Sequence, residues 1–165
     1  MRFAGVLLAA LCLVGVAVAS SDGKRLTKAQ WASYKKVNAA FNAQTPKSVA
    51  RFRYCSTTTN GSRDARAMQR CFGNTADLEL TATQNLSATL NRFEKSASGA
   101  CKSSLSKYQG VLFIWTSTIT GVKRAVHSNV ANVATIQANA SQARTIYPQV
   151  GKAAAAFTAA CKPAA

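Results

Sequence analysis

The sequence predicts an all-α fold, an antiparallel bundle of four to five helices stapled by two disulfides. Three observations carry this expectation. Apolar residues recur at steps of three and four through most of the chain, the helical period, and no long alternation of Val, Ile and Thr marks a sheet. Alanine is abundant, and Pro46, Pro148 and Pro163 are the only prolines. Cys55, Cys71, Cys101 and Cys161 form an even set behind a segment that reads as a secretory leader.

That leader is MRFAGVLLAALCLVGVAVASS. Arg2 supplies the positive start, an apolar run follows to about Val18, and Ala17-Val18-Ala19 is a small-x-small cleavage site. The run is short for a membrane span, which needs about 20 residues. Residues 1–19 are therefore read as a signal peptide and 20–165 as one helical domain, secreted or held in the cell envelope, with no transmembrane span in the mature chain. About 146 residues suffice for a proper core. Cys12 leaves with the leader, and the remaining four cysteines then face an oxidising compartment, where pairing is the default.

The first helix begins with a capping box. In RLTKAQWASYKKVNAAF the Thr27 hydroxyl reaches the Gln30 N–H and the Gln30 side chain reaches back, with Leu26 and Trp31 placed for a hydrophobic staple. Trp31, Tyr34, Val37 and Phe41 share a face, and the helix is expected to stop near Asn42–Thr45, because Pro46 restricts the residue before it. Pro46 then suits the first turn of a second segment carrying Val49 and Phe52. Asn60-Gly61 signals a turn, after which Ser62 can cap a short helix, RDARAMQRCF, stopped by Gly73-Asn74.

A longer helix starts at Thr75, with Leu78, Ala82, Leu86, Leu90, Phe93 and Ala97 as its expected buried face and Ser98-Gly99 as its end. From Cys101 a heptad-like seam runs through Leu105, Tyr108, Leu112, Trp115, Ile119, Val122, Val126, Asn129, Val133 and Ile136, and stays in phase to Phe157 and Cys161. A single straight helix of that length would reach roughly 90 Å, more than a domain of this size holds. A turn is therefore expected within Gly121–Val130, near His127-Ser128-Asn129, and a kink or second break at Tyr147-Pro148. The run VLFIW at 111–115 reads as bundle core. Folding back once brings Cys101 to Cys161 and leaves Cys55 to pair with Cys71.

Most chemistry is poorly served by this composition. The cysteine spacings of 16, 30 and 60 contain no Cys-x-x-Cys, and His127 is the only histidine, with no carboxylate or histidine three or four residues away. Met68 beside Cys71 reads as core filler rather than as a copper ligand. Five carboxylates serve the mature chain, Asp77 and Glu79 diverge on a helix, and Glu94 is placed to pair with Lys95 or Lys102. No Gly-x-Ser-x-Gly elbow, P-loop or dinucleotide fingerprint occurs. The chain is thus read as non-enzymatic, without metal or cofactor. Asn60, Asn85 and Asn139 head N-glycosylation patterns, and only the first falls on an expected loop.

Charge points to a partner. Without Arg2, 20 Lys and Arg face five Asp and Glu, a formal +15 that attracts polyanions. Arg63, Arg66 and Arg70 are spaced for one helix face, and Lys47, Arg51 and Arg53 precede them inside the same stapled region. Guanidinium forks suit phosphate, sulfate and carboxylate. The expected partner is an anionic surface polymer, polysaccharide or lipid headgroup layer, with a protein partner as the alternative. The aromatics fall on apolar stripes instead of interleaving with the basic residues, which argues against sequence-specific nucleic-acid binding.

Overall fold

The computed structural model describes residues 23–58, 65–128 and 133–164. The expected leader, the Asn60-Gly61 turn with Ser62, Arg63 and Asp64, and the turn residues Asn129 and Val130 lie outside them. Five helices and no strand are found among the described residues: α1 (Lys28–Thr58), α2 (Ala65–Phe72), α3 (Thr75–Asn91), α4 (Gly99–His127) and α5 (Val133–Cys161). Helices α4 and α5 form the most extensive pair, α1 packs on α3, and α3 on α4. Both expected disulfides are present. Cys55–Cys71 joins α1 to α2 with Cα atoms 5.7 Å apart, and Cys101–Cys161 joins the start of α4 to the end of α5 at 4.7 Å.

The capping box forms as its residues dictate: the Gln30 N–H donates to Thr27 Oγ1 at 3.2 Å and the Thr27 N–H to Gln30 Oε1 at 2.9 Å. The helix it starts does not stop at Pro46. It continues to Thr58 as a single element, because the buried stripe Tyr34, Phe41, Thr45, Ser48, Phe52 and Cys55 stays in phase across the proline. The cost is one backbone hydrogen bond, the one that residue 46 would donate to the carbonyl of Asn42. Gly73, at φ +50, ends α2, and its N–H donates to the Gln69 carbonyl at 2.8 Å. Helix α4 ends at His127, inside the expected window.

The core runs the length of the bundle. Leu105, Tyr108, Leu112, Trp115, Ile119, Val122 and Val126 of α4 are buried, as are Ile136, Ala140, Ala143, Val150 and Phe157 of α5. Each large side chain removed from water contributes about 1.5–3 kcal/mol. Tyr34, Tyr108 and Phe157 stack as a cluster, with centroids at 4.9 Å and 5.8 Å from Phe157. At Gly121 the two long helices approach so closely that an added Cβ would stand 2.6 Å from Asn139 Oδ1. Asn139 is thus packed against α4, and its Nδ2 donates to the Thr135 carbonyl at 2.9 Å.

Two expectations about the core are corrected. Leu78 is 47% exposed, and its neighbour Glu79 takes the buried position instead. Of the run at 111–115, Leu112 and Trp115 are buried but Phe113 is 73% and Ile114 45% exposed. Five consecutive residues span more than a full turn of helix, so they cannot all face one side. Helix α3 also ends earlier than expected, at Asn91, with turns carrying Phe93 and Ala97 into the core.

No described helix is long and apolar enough to cross a membrane. Two disulfides fit an extracellular protein.

The end of the bundle that holds Cys101–Cys161 is closed by a strap ahead of α1. The Leu26 N–H donates to the Cys161 carbonyl at 3.1 Å, the Lys24 N–H to Ser98 Oγ at 2.6 Å, and the Ser98 N–H returns to the Lys24 carbonyl at 3.2 Å. Gly23 lies so flat on this junction that an added Cβ would fall 2.2 Å from the Ser98 carbonyl oxygen.

Candidate functional site

The basic residues sit at the opposite end, around Cys55–Cys71. Helix α2 is amphipathic in the simplest sense: Met68 and Phe72 are buried, and Arg66 and Arg70, four residues apart, share the exposed face. Phe72 packs on Phe52 of α1 with centroids 5.7 Å apart, so α2 is held by a ring contact as well as by its disulfide. Arg51 adds a third tie. Its Nε–H donates to the Cys71 carbonyl at 2.6 Å, and its guanidinium lies 5.8 Å from the centre of the Tyr54 ring. The last turn of a helix presents unsatisfied carbonyls, so a cation placed there also complements the α2 dipole.

The six basic residues do not form one face. Arg51 and Arg53 are two residues apart and point about 200° apart around α1. Arg51 lies against the end of α2 through its bond to Cys71, and Lys47, four residues earlier, shares its face of α1. Arg53 turns the other way, toward α5, where it lines a depression with Tyr54 and Tyr147. Arg63 lies outside the described residues. The arrangement thus holds Arg51 against the helix that carries Arg66 and Arg70, leaves Lys47 one turn from Arg51 on α1, and separates Arg53 from them.

A second polar constellation, with no signal in the residue pattern, is buried in the middle of the bundle. Glu79 is fully inaccessible. Its Oε1 accepts from Trp115 Nε1 and Thr45 Oγ1, each at 2.8 Å, and from Thr83 Oγ1 at 3.5 Å. Its Oε2 is buried without a hydrogen-bond partner, and Ser48 also lies against the carboxyl. Burial pushes this group above the usual carboxylate range; the donors from Thr45, Trp115, Ser48 and Thr83 oppose that only in part. Among the described residues no charged side chain is found to favour its ionisation, and the carboxyl ties α1, α3 and α4 together as a hydrogen-bonding group. Burial likewise raises the Tyr34 and Tyr108 phenols, Tyr108 more strongly because Tyr34 faces it.

Asp77 lies on the surface and pairs with Lys123 at 2.5 Å, so the two carboxylates of α3 do diverge. Glu94 accepts from Gln109 Nε2 at 3.0 Å rather than pairing with its neighbouring lysines through any contact seen here. His127 is exposed and Met68 fully buried. Among the described residues, no three His, Cys, Asp or Glu side chains are grouped to hold a metal ion. Compared with protein-family models, curated proteins and solved structures, the chain matches none of them.

Proposed function

We propose that the mature chain is a secreted, non-enzymatic protein that binds an acidic polymer or anionic headgroup surface through the face built by Lys47, Arg51, Arg66 and Arg70. Secretion is read from the leader ending near Ala19 and fits the two disulfides. The observation that carries the binding reading is that α2 presents two exposed arginines while a disulfide, a ring contact and the Arg51–Cys71 hydrogen bond hold it on α1. Cations fixed in advance lose less freedom on binding than cations on a loose loop, and the formal +15 raises the local concentration of anions. Arg63 extends the same stripe in sequence.

Immobilised heparin tests this reading. The wild type is expected to elute at substantially higher salt than an Arg66→Ala/Arg70→Ala variant, with the salt dependence of binding reduced by about one unit of slope per lost contact. Equal elution of the two proteins, with equal melting temperatures, removes the site.

The exposed Phe113 and Ile114 on α4 favour one alternative, an interaction module whose protein partner covers that apolar surface. Such a complex would saturate and would respond weakly to salt.

A further inference from the structure

Both mid-helix prolines lie on the same seam, between α1 and α5. Pro46 lacks the N–H that would reach the Asn42 carbonyl, and Pro148 lacks the one for Arg144. Two depressions open along the seam beside them. The first, about 480 Å³, has Pro46, Val49 and Ala50 as its floor, with Tyr54, Tyr147 and Arg53 around them. The second, about 220 Å³, is lined by Phe41, Tyr108, Val150 and Ala154, with Asn42 and Pro148 at its edge. Tyr147 is common to both, and its ring is backed by Trp115 at 6.1 Å.

We propose that this seam is a binding groove for a single-chain amphiphilic anion, a free long-chain carboxylate, with its head on Arg53 and its tail along α1 past Tyr147. Four features select that chemistry. Apart from Arg53, Thr57 and Asn42 the walls are apolar or aromatic, whereas a site for a sugar or nucleotide would need more convergent polar groups. Among the described residues Arg53 is the one charged residue on the walls, and its planar fork matches a carboxylate. It stands one turn short of the Thr57 end, and the stretch of α1 from Asn42 to Arg53 measures about 17 Å, which suits a long narrow ligand rather than a round one. The net positive charge excludes a cationic amphiphile. The groove shares no residue with the face proposed above, since Arg53 turns toward α5 and away from α2, so the two sites can fail separately.

Gly151 supplies the decisive variant. It lines the second depression, and an added Cβ there would meet nothing within 4 Å. The first carbon of a side chain at 151 therefore enters open space, and Gly151→Leu is the variant that adds bulk at the tail end. Binding of monomeric hexadecanoate and octanoate would be measured by calorimetry on the oxidised protein. The wild type should bind hexadecanoate more tightly than octanoate. Gly151→Leu should weaken hexadecanoate on the order of tenfold and leave octanoate unchanged, because the lost contacts are those of the distal tail alone. Arg53→Gln should weaken both by on the order of tenfold, the worth of a charge-assisted hydrogen bond. Heparin elution should be unmoved by Gly151→Leu. Hexadecanoate affinity indifferent to Gly151→Leu would overturn the proposal, and so would protein that partitions onto anionic phospholipid vesicles yet fails to bind monomeric hexadecanoate.

Discussion

The two ends of the bundle use the same covalent staple for different work. At one end Cys101–Cys161 closes 60 residues, and everything around it is stitched to something else: Leu26 to Cys161, Lys24 to Ser98, Gly23 flat against Ser98. At the other, Cys55–Cys71 closes only 16 residues and ties down one short helix whose outer face is cationic. The long staple constrains the topology of the whole chain. The short one positions a surface. Loop-closure entropy scales only weakly with length, giving about 4 kcal/mol for the first and about 3 kcal/mol for the second. The distinction therefore lies less in the magnitude of stabilisation than in what each staple organises.

Replacing Cys101 and Cys161 together by alanine is expected to have the largest effect. It should cost about 4 kcal/mol from the lost constraint, with further loss as the strap loses its anchor, read as a fall in the urea midpoint. Replacing Cys55 and Cys71 should cost about 3 kcal/mol and in addition lower the salt at which heparin releases the protein. The first pair should change elution only in so far as it unfolds the chain. If both pairs change elution equally at matched folded fraction, the division of labour between the ends is wrong. Gly23→Ala comes next. The Cβ cannot share space with the Ser98 carbonyl, so the strap must shift, at about 1–3 kcal/mol by analogy with overpacking, and thermal melting should show it while the α2 end keeps its heparin elution.

The smallest change expected is one of slope, in the middle. The Glu79 carboxyl binds its proton more tightly in the folded state than in the unfolded chain. The folded state thus holds the extra proton as pH rises from the ordinary carboxylate range to the raised folded value, and stability falls across that window. Glu79→Gln keeps the acceptor for Trp115 and Thr45 but cannot ionise. Urea midpoints measured from pH 4 to pH 8 should decline more steeply for the wild type than for the variant, and parallel curves would show that Glu79 is not the group responsible.

What could be read from the amino acids follows the same physical divide. The α4–α5 seam was legible because its signal is apolar repetition, and apolar repetition is what builds long helix pairs. The pairing of Cys101 with Cys161 followed from that seam once it had to fold back. Glu79 was not legible. A carboxylate in a stripe reads as solvent-facing, and its donors come from α1 and α4, far away in sequence. Helix α1 was cut at Pro46 because a local restriction was weighed without the buried stripe that overrides it. The separation of Arg51 from Arg53 was available from their spacing alone, since residues two apart never share a helix face. The seam groove had a sequence signal too, in two prolines each set inside a long apolar pattern. That they face one another is a fact of packing and emerges only when the helices are placed.

The strap has a consequence for the order in which the molecule assembles. Leu26 precedes every helix, yet the carbonyl its N–H needs belongs to Cys161, the final residue of α5. During synthesis the first piece made must wait for the last, and a nascent chain stopped short of Cys161 lacks both the hydrogen bond and the disulfide that close this end. Helix pairs such as α1 with α3 can form along the way, but the closing step joins the two extremes of the helical region, the costliest loop to close. The Lys24–Ser98 bonds can form once the start of α4 is made, and the tie from Leu26 to Cys161 is fastened last.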